Sequence, residues 1–486
     1  MRAEILFPEV CNLYGDLQNI YYLKRCCPAL EIIETDLHSK PRFLTEDVAL
    51  VYMGSTTEQG LRLAADALRP YAADIAARAD AGQLILLTGN APDVFSAAIE
   101  SDSADTIEGL GILPGRVRYT MMKRHNSFFL GSFEDMDVVG FNYRTHLYTK
   151  AYHELPQQIM MGSETASTFS SRGTYHFPVE RTVNKVRPDN QSSGYDLDCG
   201  SWSNLPEDDF VLHDDYDWCI GEFVWTGFDY LGEPTPYYTD WPSHSSLFGI
   251  IDLAGLPKDR YYLYRSHWNK DKETLHILPH WNWEGREGEV TPVFVYTNYP
   301  SAELFINGKS QGKRTKDLSV TVNNSGDSTS VANFKRQQRY RLMWMDTKYE
   351  PGTVKVVAYD KDGKAVAEKE IHTAGKPDHI ELVADRSVID ANGKDLSFVT
   401  VKVVDKEGNL CPLADNEISF KVKGAGTYRA GANGNPASLE SFQTPKMKVF
   451  SGMMTAIVQS TEKAGKITLE ATGKGLKKGT LLIESK

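Results

Sequence analysis

No stretch of this 486-residue chain reaches 18 consecutive apolar residues, so a membrane-spanning helix is not expected. Positive charge is short too: 53 Lys and Arg face 65 Asp and Glu, a formal charge of −12. A surface that grips phosphates needs the opposite balance, which argues against a nucleic-acid partner. The six cysteines (Cys11, Cys26, Cys27, Cys199, Cys219 and Cys411) have no metal-binding spacing and suggest no disulfide framework. Neither a metal nor a cofactor is therefore expected. The segment Met1 to Glu9 lacks the apolar core of a signal peptide, and the chain as written is expected in the cytoplasm. Low-complexity tracts are absent, and 41% of the residues are hydrophobic. Such a composition supports several folded domains, about three by length.

What is there changes along the chain. Residues 1 to about 130 contain no tryptophan and alternate short apolar runs with helical patterns. Strands are expected at Ala3–Phe7, Glu31–Glu34, Ala49–Met53 and Leu84–Leu87. Helices are expected at Leu17–Arg25 and over 58–81, where Leu61, Ala64, Ala65, Leu68, Tyr71, Ile75 and Ala76 recur at three- and four-residue spacing. Continuous apolar strands alternating with helices predict a parallel sheet covered on both faces. From about 135 to 285 the composition turns aromatic: seven of the eight tryptophans lie between Trp202 and Trp283. Flat apolar rings of this kind suit a saccharide cleft, and an aromatic core is the alternative. From about 288 the chain reads as all-β. Asn307-Gly308 marks a hairpin. Val354–Tyr359 runs into Asp360-Lys361-Asp362-Gly363, and Val401–Val404 into Asp405-Lys406-Glu407-Gly408, one strand-turn device used twice. Gly375-Lys376-Pro377 links two expected β-sandwiches.

Three apolar stretches end in residues that carry chemistry: Asp137–Tyr143, Met160–Glu164 and Gly221–Trp225. Together with His280-Trp281-Asn282-Trp283 and Asn298–Gly308, they resemble the C-terminal half of a family 2 glycoside hydrolase of the β-galactosidase type. The resemblance implies that these stretches are the last three strands of a (β/α)8 barrel, whose active sites lie at the C-terminal strand ends. It implies Glu164 as the nucleophile of a retaining mechanism, Tyr143 hydrogen-bonding that carboxylate, Asn142 positioning the nucleophile or the sugar, and Trp225 stacking on the sugar. Asp229 is a further candidate for substrate contact. Glu222 begins its strand, at the wrong end of a barrel, and is assigned a structural role. The expected partner is a carbohydrate substrate, and related full-length enzymes are often periplasmic or secreted. A retaining mechanism needs a second carboxyl group about 5 Å from the first. The family carries it in an Asn-Glu pair, and here the only such pair is Asn416-Glu417, far downstream. Three strands cannot close a barrel. Impaired or absent turnover is therefore expected, with a non-catalytic carbohydrate-binding fragment as the alternative. A complementing chain that supplies the missing strands is left open.

The first 130 residues resemble a class I glutamine amidotransferase domain, of the type paired with cell-wall ligases and cobyric acid synthases. Asn12–Ile20, Tyr52–Gln59, Glu108–Pro114 and Arg124–Ser127 carry the likeness. That family's nucleophile is a Cys on a strand-to-helix turn, and Thr88 stands there in this chain. A truncated, degenerate Rossmann-like domain is the expectation, with an amidotransferase-like ligase subunit as a third reading. The expected domains are 1–130, 135–275, 276–374 and 378–486. Both likenesses meet abruptly between Leu130 and Val138, which suggests a chimeric seam.

Overall fold

A computed structural model describes residues 1–102, 104–119, 138–330 and 333–486. It separates the chain into two compact units, Met1–Gly131 and Ser132–Lys486. The seam at 130–138 falls almost wholly outside the described residues, as does the Arg124–Ser127 part of the amidotransferase likeness.

The N-terminal unit is built on strands β1 (Arg2–Leu6), β2 (Glu31–Thr35), β3 (Leu50–Met53) and β4 (Ile85–Leu87), all parallel in the order β2-β1-β3-β4. Helix α1 (Gln18–Cys26) follows β1, and α2 (Glu58–Leu68) follows β3. Successive side chains of a strand face opposite ways. Val51 and Met53 therefore pack with Leu61, Ala64 and Leu68 of α2, while Tyr52 joins Ile5 and Ile20 on the other face. The single helix expected over 58–81 is instead two. After α2 comes a tight turn at Arg69–Tyr71, then α3 (Ala72–Asp80). Pro70 has no N–H for the helical ladder, which accounts for the break. Beyond β4 lie a short helix, α4 (Pro92–Phe95), and a small sheet of β5 (Ala98–Ser101), β6 (Ile107–Glu108) and β7 (Arg116–Tyr119).

The C-terminal unit begins with β8 (Val139–Asn142), α5 (Tyr148–Glu154) and β9 (Met160–Thr165). Short strands β10 (Thr168–Phe169), β11 (Thr182–Val183) and β12 (Asp198–Cys199) form a separate small sheet, and α6 (Pro206–Asp215), β13 (Cys219–Val224) and α7 (Asp259–Trp268) follow. Strands β8, β9 and β13 make one parallel sheet with β9 in the middle. Among the described residues β8 and β13 have no outer neighbour, and β13 leaves Phe223 64% and Ile220 56% exposed.

Two antiparallel β-sandwich regions follow. In the first, Asn307 (φ 49°) and Gly308 (φ 77°) both take left-handed backbone, the geometry of a two-residue hairpin turn, and join strands Ser301–Ile306 and Lys309–Thr315. A helix at Lys335–Tyr340 ties this region to α6: Arg336 pairs with Asp208 at 2.7 Å and Arg339 with Asp215 at 2.7 Å, while buried Arg341 pairs with buried Glu207. The two expected strand-turn devices, one in each sandwich region, prove to be the same Asx arrangement. Asp360 Oδ1 accepts the N–H groups of Asp362 and Lys364, and Asp405 Oδ1 accepts those of Glu407 and Asn409. Asp405 also accepts from Gly375 N at 2.7 Å, which fastens the linker. No helix among the described residues is long and apolar enough to cross a membrane.

Candidate active site

The three strands of the parallel sheet end side by side. Asn142 of β8 stands in register with Glu164 of β9, and Thr165 with Val224 of β13. Tyr143 N–H donates to Glu164 O at 2.7 Å, and Trp225 N–H to Thr165 O at 2.9 Å, so the ladder carries both neighbours one residue past the strands. Gly162 allows the sheet to close here: a Cβ would come 2.4 Å from Thr165 Cγ2 and 3.3 Å from Glu222 Cβ.

Glu164 is half-buried at this edge. Tyr143 is buried, and its hydroxyl shares a 2.5 Å hydrogen bond with Ser167 Oγ. Burial, and after it the charge of Glu164, hold the Tyr143 phenol well above its ordinary range, so it stays a protonated donor beside that carboxylate. Trp202 adds an indole next to the same phenol. Across the site the Trp225 and Tyr230 rings meet edge to face at 6.0 Å, and the Tyr230 hydroxyl donates to Glu233. Burial and then Glu233 raise the Tyr230 phenol. Asn142 is exposed and accepts from Ser163 Oγ at 2.8 Å.

Four residues around these strand ends have left-handed backbone without being glycine: Tyr143 (φ 61°), Arg144 (φ 59°), Ala166 (φ 44°) and Glu233 (φ 48°). Each such residue costs about 1–3 kcal/mol, and such strain concentrates at ligand sites.

Asp229 is placed differently from the expected substrate contact. It is buried, with its carboxylate 2.6 Å from Lys258 Nζ and accepting Gly249 N–H at 2.7 Å. Burial raises it to about 6, against the opposing charge of Lys258. Lys258 also donates to the carbonyls of Ser170 and Leu247, and buried Arg260 donates to those of Thr168, Phe248 and Gly249. The start of α7 and the residue before it thus clamp the loop that carries Ser167. Glu222 has a side chain only 2% exposed and accepts from Thr165 Oγ1 at 2.5 Å, facing away from the strand-end cluster. Burial raises its pKa, as it does that of Asp209 on α6.

Sequence reasoning singled out Glu164, Asn142, Tyr143 and Trp225, and these four stand together at adjacent strand ends. It missed Ser167, Trp202 and Tyr230. The crowding of aromatics after residue 200 was a signal for the last two, and nothing in the pattern pointed to Ser167. No group of three His, Cys, Asp or Glu among the described residues could hold a metal ion. In the N-terminal unit Thr88 directly follows β4, donates to Asp16 Oδ2 at 2.6 Å and bonds the Tyr52 hydroxyl at 3.1 Å. Cys11 is buried, which pushes its thiol up to about 12, the reverse of an activated nucleophile.

Residues 380–482 match the model of glycoside hydrolase family 2 C-terminal domain 5, and residues 288–367 match a domain of unknown function, DUF4982. Beta-galactosidase BoGH2A of Bacteroides ovatus is 44% identical over 358 residues, 72% of this chain and 39% of that protein. A putative beta-glucuronidase of Formosa agariphila is 28% identical over 337 residues, 63% of this chain and 30% of that one. The crystal structure of a beta-glycosidase from Bacteroides vulgatus superposes with a TM-score of 0.63 at 24% identity, covering 90% of this chain and 51% of the other. A family 2 glycosyl hydrolase from Bacteroides cellulosilyticus superposes with a TM-score of 0.58 at 23% identity, covering 99% and 54%. The chain thus spans about two fifths of BoGH2A and about half of the superposed structures.

Proposed function

We propose, for a chain that has a family 2 glycoside hydrolase C-terminal domain and a β-galactosidase among its relatives, that Glu164 is the nucleophile of a retaining β-galactosidase-type site whose acid is missing. One observation carries the reading. A half-buried carboxylate ends the central strand of a parallel sheet, with a protonated phenol from one neighbouring strand end and an indole from the other. The carboxylate would attack the anomeric carbon. Tyr143 would donate a hydrogen bond to it and hold it oriented, Asn142 would position it or the sugar, and Trp225 would pack against the apolar face of the ring. Asp229, held by Lys258, acts by fixing the loop behind the site. The backbone strain at Tyr143, Arg144 and Ala166 fits a binding edge.

The experiment follows from the missing acid. A glycosyl fluoride needs no protonation of its leaving group. With 2-deoxy-2-fluoro-β-galactosyl fluoride, a Glu164 oxygen forms an ester bond to the anomeric carbon as the C–F bond breaks and fluoride departs with the electron pair. Intact-mass and peptide analysis should find one adduct, on Glu164, absent from Glu164→Gln. An adduct elsewhere, or none, would overturn the assignment. An ordinary aryl β-galactoside, whose leaving group needs the acid, should turn over little, and a robust rate lost in Glu164→Gln would overturn the impairment.

The domain limits 1–130, 135–275, 276–374 and 378–486 belong to the same proposal. For residues 1–130 a degenerate amidotransferase-like domain rests on motif likeness and on the strand order β2-β1-β3-β4, the start of a doubly wound order. Absence of glutamate release from glutamine is the expected result, and measurable glutaminase activity would refute the degeneracy.

A further inference from the structure

We propose that a cleft on the C-terminal sandwich is a second carbohydrate site, one that takes an uncharged stretch of glycan away from Glu164. The cleft holds about 400 Å³, and its walls include Leu413, Asp415, Asn435, Ser438, Lys448 and Phe450. That volume lies in the range of small-molecule sites.

Its frame is fixed by hydrogen bonds. Asn433, 5% exposed, donates to Lys448 O at 3.0 Å and accepts from Asn435 N at 3.0 Å. Glu440 accepts Lys448 N–H at 2.9 Å. The rim is left open. Among the described residues the Lys448 ammonium and the Asp415 carboxylate have no side-chain hydrogen bond or ion pair, and Leu413 is 64% exposed. One free cation, one free anion, amide and hydroxyl groups and an apolar edge are the complement of a neutral, hydroxyl-rich ring with a C–H face. A polyanion would meet Asp415 and Glu440, and a cation would meet Lys448.

The cleft is also tied to the strand-end site. Arg172 pairs with buried Asp252 at 2.6 Å, donates to Asn433 O at 2.7 Å, and its own carbonyl accepts from Ser451 Oγ at 3.0 Å. Gln191 Nε2 reaches Asn435 Oδ1 at 3.0 Å, and His244 N–H reaches Pro436 O at 3.3 Å. Arg172 follows Glu164 by eight residues, which limits their separation to about 29 Å. One polymeric ligand could engage both places. For its ligand class the inference rests on the reading of the Glu164 site as a sugar site.

Native affinity electrophoresis of the full chain tests it, with β-1,4-galactan, a xylan and a β-glucan as neutral probes and polygalacturonate as the anionic one. At least one neutral glycan should retard the chain. Lys448→Ala and Asp415→Ala, both at exposed positions, should weaken that retardation tenfold or more. Lack of retardation by every neutral glycan, retardation by polygalacturonate alone, or retardation that the cleft substitutions do not change would each overturn the proposal. Failure of the Glu164 reading shows separately, as loss of fluorosugar labelling with retardation intact.

Discussion

Removing the amino group of Lys258 tests the clamp behind the candidate site. The side chain is 1% exposed, as is fitting for a charge that meets Asp229 at 2.6 Å and two carbonyls at 2.7 and 3.2 Å. Lys258→Met keeps most of the volume but strands Asp229, itself 3% exposed, with a single strong donor, the Gly249 N–H. Breaking one partner of a buried pair costs about 3–5 kcal/mol, because the remaining charge is uncompensated. The Ser170 carbonyl, which loses its Lys258 donor, adds to this, though not additively; Leu247 O keeps the Ser170 N–H at 3.1 Å. With a urea slope of about 3 kcal/mol/M, the unfolding midpoint should fall by about 1–1.7 M. Tryptophan fluorescence is the assay, since Trp202 and Trp225 both lie beside the clamped loop. Adding Asp229→Asn to Lys258→Met should recover half or more of the loss, because the stranded group is then neutral. A loss under about 1 kcal/mol, the range of exposed pairs, would refute the reasoning, and so would a double variant no more stable than the single one.

Burial, opposed by Asp259, holds His280 down at about 4. Its folded pKa is thus below the unfolded value of about 6.5, so its contribution is present above pH 6.5 and lost as pH falls through 4. Between pH 7 and 4 the wild type should lose about 3 kcal/mol more than His280→Gln, read from urea midpoints at the two pH values. Gly434 has φ +81°, and a Cβ there would lie 1.9 Å from Asp252 Oδ2. Gly434→Ala should cost about 2 kcal/mol or more and weaken glycan retardation with it; an unchanged midpoint would count against the Arg172–Asp252 anchor. Gly308→Ala, with open space around its Cβ but φ +77°, should cost only about 1–2 kcal/mol by differential calorimetry, all of it backbone strain.

Much of the local structure was legible from periodicity. The strand at Leu50–Met53, the helix beginning at Glu58 and the Asn307-Gly308 hairpin follow from apolar spacing and turn chemistry, which act over a few residues. Glu164, Asn142, Tyr143 and Trp225 were also legible, because each ends an apolar strand and strand ends are where a parallel sheet exposes functional groups. The break at Pro70 could have been read from the proline, but the continuous apolar spacing on both sides concealed it.

The sequence by itself determined which segments become strands, where they stop and which residue types stand at their ends, since these are matters of local backbone and side-chain chemistry. Only the tertiary structure decided that Asp229 turns inward to Lys258, that Ser167, Trp202 and Tyr230 join the cluster, and that a loop of the C-terminal sandwich is held by Arg172 across 261 residues. Burial and pairing of charges depend on which distant segments meet, and no pattern within a short window carries that information.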